Sequence, residues 1–328
     1  MLDNNPVSAN SVGKYYQVDG SKLAKQYKDY MSGFWRWDQL DHSQQWVLFA
    51  DNVEHVVCID EVALSDGELY TVVTNAKARC QKGSLIAMVK GTKSVDVSEI
   101  LKKLPTEKRL AVKEVTLDLA QNMEKIAREC FPKASIVSDR FHVQQLPSEA
   151  LQEMRIKFRW QAIDQENKLA QIAQSHGRKY YPQVLENGDT KKQLLARSRY
   201  LLFKPPNKWT PTQRERAAIL FKMYPDLKKA YELSMMFRSI YENSRTISEA
   251  KQGLEKWYEK IQKYGFESFA TAANSIKLHQ ETILAYFVNR STNALAENFN
   301  SKIKAFRSVF RGINDIGFFI YRVTLIFA

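Results

Sequence analysis

The pattern of hydrophobic and polar positions predicts a β-sheet in the first half of the chain. Short apolar or alternating runs indicate five strands, near residues 56–59, 69–74, 84–89, 112–117 and 134–137. Short connections join the first three strands, which favours an antiparallel meander. Helical spacing at 97–104 and 123–130 precedes the fourth and fifth strands, and crossover helices require parallel pairing there. The pattern therefore predicts an α/β fold with a mixed five-stranded sheet and flanking helices.

The remaining stretches differ from this sheet region in their pattern. Residues 1–50 are polar and aromatic, and we expect short helices there. Residues 147–285 are mostly helical, with capping boxes that begin at Thr210 and Thr246. We therefore expect three domains, namely an N-terminal helical lead-in at 1–50, an α/β domain at 51–146 and 286–328, and a large all-helical insertion at 147–285.

Charge narrows the range of partners. The 328 residues include 49 Lys and Arg against 36 Asp and Glu, a net charge of +13. An excess of this size suggests a polyanionic partner, most commonly nucleic acid, although a merely basic soluble protein remains an alternative. The composition is 44% hydrophobic and 26% charged, which is ordinary for a globular protein and excludes wholesale disorder.

Cysteine usage and hydropathy bear on the compartment. The three cysteines form no C-x-x-C pair, which argues against a disulfide scaffold and against a zinc site built from thiolates. No apolar stretch approaches the roughly 20 residues of a membrane span. The first residues lack a basic segment followed by an apolar one, so we expect no secretory signal. The simplest expectation is a cytoplasmic protein that does not contact a membrane.

Three aspartates lie at the ends of predicted strands, namely Asp60, Asp118 and Asp139. A carboxylate at the end of a buried strand is costly unless it is hydrogen-bonded, paired or bound to a metal. One such residue is usually a turn or helix-capping residue, but three in one small sheet are harder to explain in this way. If the first and fourth strands are neighbours, Asp60 and Asp118 share one edge and repel each other unless a divalent cation lies between them.

Glu297 is a fourth acidic candidate. It falls in the first turns of a predicted helix, on the side opposite the apolar stripe that includes Leu295 and Phe299. Taken alone, a glutamate near a helix N-terminus is most simply a solvated residue that the helix dipole favours. Glu297 is a candidate functional residue only in combination with the three aspartates.

The segments that carry these acidic residues resemble a known family, the bacterial insertion-sequence transposases of the DDE class, close to the ISL-three and ISAon-type groups. The resemblance extends from about residue 54 to the end of the chain. The matching segments are Cys58-Ile59-Asp60-Glu61, Thr116-Leu117-Asp118-Leu119, Ser138-Asp139-Arg140-Phe141-His142-Val143 and Asn293-Ala294-Leu295-Ala296-Glu297-Asn298-Phe299-Asn300. The Asp-Arg-Phe-His stretch is the most specific of these.

The resemblance implies a ribonuclease H-like catalytic domain interrupted by the helical insertion. It implies that Asp60, Asp118 and Glu297 form a metal-binding triad and that Asp139 is an accessory ligand or organiser. A rival alignment places Asp139 in the triad instead of Asp118. Arg140 and His142 are further accessory candidates that position DNA or Asp139, although a partly buried, hydrogen-bonded side chain is the slightly simpler interpretation of His142.

The implied activity is DNA cleavage and strand transfer at the ends of a mobile element. The implied cofactors are two Mg²⁺ or Mn²⁺ ions, which carboxylate oxygens bind well and which activate the attacking oxygen and stabilise the leaving oxygen. Basic side chains near the site neutralise phosphates in such enzymes. The candidates here are Lys302, Lys304, Arg307 and Arg311, each of which is individually more simply an ordinary solvated residue.

The implied partners are double-stranded DNA, comprising the terminal inverted repeats and the target, and further copies of the chain assembled on that DNA in the nucleoid. Relatives often carry a Cys/His zinc module and a helix-turn-helix ahead of the catalytic core, and the cysteines for such a module are absent here. Recognition of the element ends is therefore expected from residues 1–50, from the helical insertion or from a separate polypeptide. A second departure is Ala294-Leu295-Ala296, where relatives often have Gly-Pro-Val.

Other functions remain open from the sequence. A structure-specific endonuclease on the same fold cuts DNA without joining a 3′ end to a target. A catalytically inactive DNA-binding relic keeps the scaffold alone, but it has no physical reason to retain an uncompensated carboxylate cluster. An all-helical adaptor is disfavoured by the five predicted strands.

Overall fold

The computed structural model describes residues 1–64, 67–310 and 315–328. The strands are β1 (Trp46–Leu48), β2 (Val56–Ala63), β3 (Leu69–Asn75), β4 (Leu85–Lys90), β5 (Glu114–Leu117) and β6 (Ser135–Ser138). The helices are α1 (Ala9–Tyr16), α2 (Gly20–Gln26), α3 (Ser94–Leu101), α4 (Thr106–Ala111), α5 (Gln121–Cys130), α6 (Arg140–Ser175), α7 (Lys191–Arg197), α8 (Pro211–Met223), α9 (Pro225–Asn243), α10 (Ile247–Tyr264), α11 (Glu267–Leu278), α12 (Gln280–Asn289), α13 (Ala294–Val309) and α14 (Ile316–Phe327). No described helix has both the length and the apolar character that crossing a membrane requires.

The six strands form one mixed sheet in the order β1-β4-β3-β2-β5-β6. Strands β2, β3 and β4 pair antiparallel as a meander, whereas β2, β5 and β6 pair parallel. The parallel pairs follow from the crossover helices between these strands, as the sequence pattern predicts. The architecture is consistent with a ribonuclease H-like fold, and the predicted fold class is confirmed.

One strand was missed by the sequence pattern. Strand β1 pairs antiparallel with β4 at the edge of the sheet, so the sheet has six described strands rather than five. It contains three residues, too few to show an alternating pattern. The helix predicted at 97–104 has different bounds in the structure, because α3 begins at Ser94 and ends at Leu101. Pro105 then precedes a separate helix, α4.

Helices cover both faces of the sheet, which explains why β2 is apolar at successive positions. On one face, Val57, Ile59 and Val115 pack in a core with residues of α3 and α5. On the other face, residues of β2, β3 and β4 pack against apolar residues of α13 and α14, including Phe299 and Ile303. The apolar stripe of α13 thus fixes which side of that helix faces the sheet.

The described chain divides into two compact units. The first unit comprises residues 1–140 and 289–328, and the helical unit comprises residues 141–288. Within the helical unit, the fully buried carboxylate of Asp189 forms ion pairs with Arg197 and Arg216. Burial alone would raise the pKa of Asp189, but hydrogen bonds and charge from Arg216 and Arg197 outweigh it and lower that pKa.

Candidate active site at the carboxyl edge of the parallel strands

Parallel pairing of β2 with β5 brings the first two aspartates to the same edge. Cys58 lies opposite Thr116 in this pair. Two residues further along each strand, Asp60 and Asp118 are therefore the next neighbours that point to the same face of the sheet. Asp60 is still within β2, whereas Asp118 directly follows the last residue of β5.

The next pair of strands adds Asp139 to this row. Leu117 lies opposite Ser138 in the parallel pair of β5 with β6, so one residue further on Asp118 is beside Asp139. Carboxylate oxygens of Asp118 and Asp139 approach within 4.8 Å of each other. Asp139 is 2% exposed and Asp60 is 9% exposed, whereas Asp118 is half-buried.

Helix α13 crosses the face on which this row lies, and Asn293 precedes its first residue. The backbone N–H of Asn293 donates to Asp139 Oδ1 over 2.8 Å, and its Nδ2 donates to Asp118 Oδ1 over 3.3 Å. Asn293 is itself fully buried. This residue therefore ties the start of the helix to two neighbouring aspartates through hydrogen bonds to charged acceptors, which are stronger than neutral ones.

Asn300 makes the corresponding contact with the third aspartate. Its Nδ2 donates to Asp60 Oδ2 over 2.7 Å and to the Glu61 carbonyl over 3.2 Å. Because both of these partners are acceptors, the orientation of the amide is fixed by its hydrogen bonds. The Oδ1 atom of Asn300 is buried and has no hydrogen-bond partner within the described residues.

Glu297 lies on the helix between these two asparagines. It is four residues after Asn293 and three before Asn300, so the three residues share one face of α13. Its side chain is exposed. Among the residues that the structure describes, the acidic side chains of Asp60, Asp118 and Glu297 are not all within 4.8 Å of one another.

Arg140 and His142 lie just after Asp139 along the chain. Arg140 is the first residue of α6 and His142 falls in its first turn. Both side chains are partly exposed. The imidazole of His142 packs edge-on against the ring of Phe141, with centroids 5.6 Å apart.

The four basic candidates on and after α13 differ in their surroundings. Lys302 donates to the Cys80 carbonyl over 3.0 Å, and Lys304 is exposed. Arg307 is 9% exposed and lies 3.8 Å from a carboxylate oxygen of Glu68. Arg307 is therefore packed within the fold, whereas the sequence suggested a solvated position. Arg311 lies outside the described residues.

The nearby thiol is not an additional ionised ligand. Cys58 is fully buried two residues before Asp60. Burial is the largest influence and raises the pKa of the Cys58 thiol to about 11, with hydrogen bonds from Thr116 and Thr74 acting in the opposite direction. All three cysteines, which are among the described residues, are free. We therefore expect no ionised thiolate at this edge.

A family model described as a transposase, of the DDE class and the ISL3 group, matches residues 57–323. The chain belongs to this transposase family. The matched range includes all six residues that form the edge and the helix face above it, from Asp60 to Asn300.

Two curated members of insertion-sequence families are similar to the chain. The transposase for insertion sequence element IS1557 of Mycobacterium tuberculosis is 27% identical over 252 residues, which are 75% of this chain and 54% of that protein. The transposase for IS1001 of Bordetella parapertussis is 23% identical over 273 residues, which are 83% of this chain and 60% of that protein. The chain thus spans between about half and three fifths of these relatives.

Proposed function

We propose that this chain carries the catalytic centre of a DNA transposase, which cleaves phosphodiester bonds at element ends and joins them to a target. The observation that carries the proposal is the row formed by Asp60, Asp118 and Asp139 beneath the helix face of Glu297, in a chain of the transposase family. The four separate segments that carry these residues are those on which the resemblance to DDE transposases rests.

The donors at this edge fit a hard divalent cation. They are oxygen atoms, two of the carboxylates approach within 4.8 Å, and the buried Asn300 amide oxygen has no hydrogen-bond partner within the described part of the chain. We assign Asp60, Asp118 and Glu297 to hold two Mg²⁺ or Mn²⁺ ions. When bound, such ions activate the attacking oxygen and stabilise the leaving oxygen of a phosphoryl transfer.

Burial separates the roles of Asp118 and Asp139. Asp139 is almost fully buried and accepts the Asn293 N–H, so we assign it to anchoring the start of α13. Asp118 is half-buried, which leaves it more accessible to an ion that keeps part of its water. His142 and Arg140, close to Asp139 along the chain, are proposed as accessory residues that position this aspartate or the DNA.

The asparagines prepare the site before substrate arrives. Asn300 and the Glu61 N–H each donate to one oxygen of Asp60, which restricts the rotation of that carboxylate. Asn293 restricts Asp118 in the same way. Restricting the ligands in advance reduces the ordering that must occur when DNA binds.

The proposed substrates are the terminal inverted repeats of the element and a double-stranded target. Lys304 is seven residues after Glu297, on the same helix face, and is exposed to contact a phosphate there. We further propose that several copies assemble on the DNA, and that the unit of residues 141–288 is the helical insertion of the catalytic domain. End recognition is assigned to residues 1–50, to this insertion or to a separate polypeptide.

A Glu297→Gln variant tests the catalytic assignment. We expect it to lose strand transfer, measured with Mg²⁺ on duplexes taken from both flanks of the gene, and to retain DNA affinity, measured by fluorescence anisotropy. Glu99→Gln, at an exposed position of α3, is the matched control and retains both activities. Normal strand transfer by Glu297→Gln contradicts the assignment. Cleavage without joining by the wild-type chain indicates the alternative, a structure-specific endonuclease.

A further inference from the structure

The helical unit holds most of the net positive charge of the chain. Residues 141–288 contain 24 Lys and Arg against 15 Asp and Glu, a net charge of +9 out of the total of +13. None of the acidic residues proposed for catalysis lies in this range. The excess positive charge of residues 141–288 must therefore be explained by a role of the helical unit itself.

The helical unit contains a buried arginine. Arg155 of α6 is 5% exposed. Its Nε donates to Gln152 Oε1 over 2.6 Å, and its Nη1 donates to the Leu195 carbonyl over 2.9 Å. Both acceptors are neutral, although a buried guanidinium is normally matched with a carboxylate.

Two further arginines lie near Arg155 in the helical unit. Arg159 is one turn further along α6, and the Arg199 carbonyl accepts a hydrogen bond from Gln152 Nε2 over 3.3 Å. Burial, and then the positive charges of Arg159 and Arg199, lower the pKa of Arg155. Throughout the described ranges, none of the three forms an ion pair with an acidic side chain.

A purely structural role explains only part of this cluster. Leu195 lies in the last turn of α7, so Arg155 also neutralises the negative end of that helix dipole. This contact uses Nη1 of Arg155 and involves neither Arg159 nor Arg199. Both of these side chains are exposed, and each adds a positive charge that acts on Arg155.

Exposed aromatic rings flank the cluster. Tyr200 is 67% exposed, and the guanidinium carbon of Arg199 lies 5.6 Å from its ring centroid. Trp160, next to Arg159 along α6, is 61% exposed. Arginines alternating with exposed aromatic side chains are typical of surfaces that contact nucleic acids, where guanidinium groups bind phosphates and rings contact sugars or bases.

We propose that Arg155, Arg159 and Arg199 form a phosphate-binding site at which the helical unit holds the DNA backbone. The site rests on the proposed function, because its ligand is the DNA substrate of that function. Arg155 supplies a fixed positive charge at the buried side of the site, and the two exposed arginines contact phosphate oxygens directly. The site adds affinity that does not depend on base sequence.

The double variant Arg159→Gln/Arg199→Gln tests this site. Lys251→Gln/Lys256→Gln is the matched control, because it removes the same charge from exposed positions of α10 in the same unit. Binding of the full chain to a fluorescent duplex is measured by anisotropy between about 50 and 200 mM salt, with Ca²⁺ in place of Mg²⁺. Thermal melting of each variant checks that the fold is retained.

We expect the arginine pair to weaken binding about tenfold or more, and to reduce the slope of log K against log salt by about 2 relative to wild type. The lysine pair should leave the slope unchanged. Equal slopes for the two double variants overturn the phosphate site while leaving the proposed function intact. A wild-type chain that binds no DNA overturns both.

Discussion

Asn300→Asp perturbs the contact between α13 and the edge of the sheet with a change of one atom type. The wild-type amide donates to Asp60 Oδ2 over 2.7 Å and to the Glu61 carbonyl over 3.2 Å. In the variant a carboxylate faces these same two acceptors. Attraction is thereby replaced by repulsion between two negative charges in a buried position.

The distance sets the size of the effect. When the two carboxylates relax to a separation of about 4 Å, their repulsion is about 4 kcal/mol at an effective dielectric constant of about 20. A loss of this size lowers Tm by about 8–16 °C for a unit of this length. A divalent cation held by both carboxylates relieves the repulsion, so Mg²⁺ should raise the Tm of the variant more than that of wild type.

Thermal unfolding of the full chain, in EDTA and in Mg²⁺, measures both effects. Asn298→Asp is the matched control, because it makes the same substitution at an exposed position of the same helix. We expect this control to melt within about 2 °C of wild type. The reasoning is refuted if Asn300→Asp melts together with Asn298→Asp, or if Mg²⁺ raises the Tm of all three proteins equally.

Further predictions concern other buried groups. Asp189→Asn should destabilise the helical unit by about 3 kcal/mol at neutral pH, because it leaves two arginines without their carboxylate. The pKa of Asp189 is lower in the folded protein than its unfolded value near 4, so its ion pairs stabilise the fold above about pH 4 and are lost as the pH falls below that value. Urea unfolding should therefore show the difference in stability between wild type and Asp189→Asn shrinking below about pH 4. Cys58, whose pKa burial raises to about 11, should resist iodoacetamide at pH 8 until the protein is unfolded, and modification of the native protein, detected by mass spectrometry, contradicts its burial. Asp118→Asn should reduce strand transfer more than Asp139→Asn does, and the reverse order in single-turnover assays supports the rival alignment.

The sequence was sufficient to predict where the aspartates converge, because strand order and parallel pairing are consequences of the element pattern. Short apolar runs marked β2, β5 and β6, and the crossover helices determined their direction. The row of Asp60, Asp118 and Asp139 then follows from the register of the parallel strands. The predicted end of the first strand before Asp60 was wrong, because β2 continues to Ala63 through its pairing with β3. These are local features that a single sequence contains.

The contacts made by α13 could not be predicted in this way. Asn293 and Asn300 are unremarkable polar positions in the sequence, and only the docking of the helix shows that each donates to an aspartate. Their spacing around Glu297, at i−4 and i+3, was the available signal. Arg307 was expected in solvent but is buried near Glu68, since its position on the helix faces the sheet once α13 is docked.

Anomalous scattering from crystals soaked in Mn²⁺ locates bound ions without relying on activity. The assignment of metal ligands to this edge predicts peaks within about 2.5 Å of carboxylate oxygens of Asp60 and Asp118, beneath the face of α13 that carries Glu297. Peaks confined to other parts of the surface, with this edge empty at saturating Mn²⁺, would contradict it.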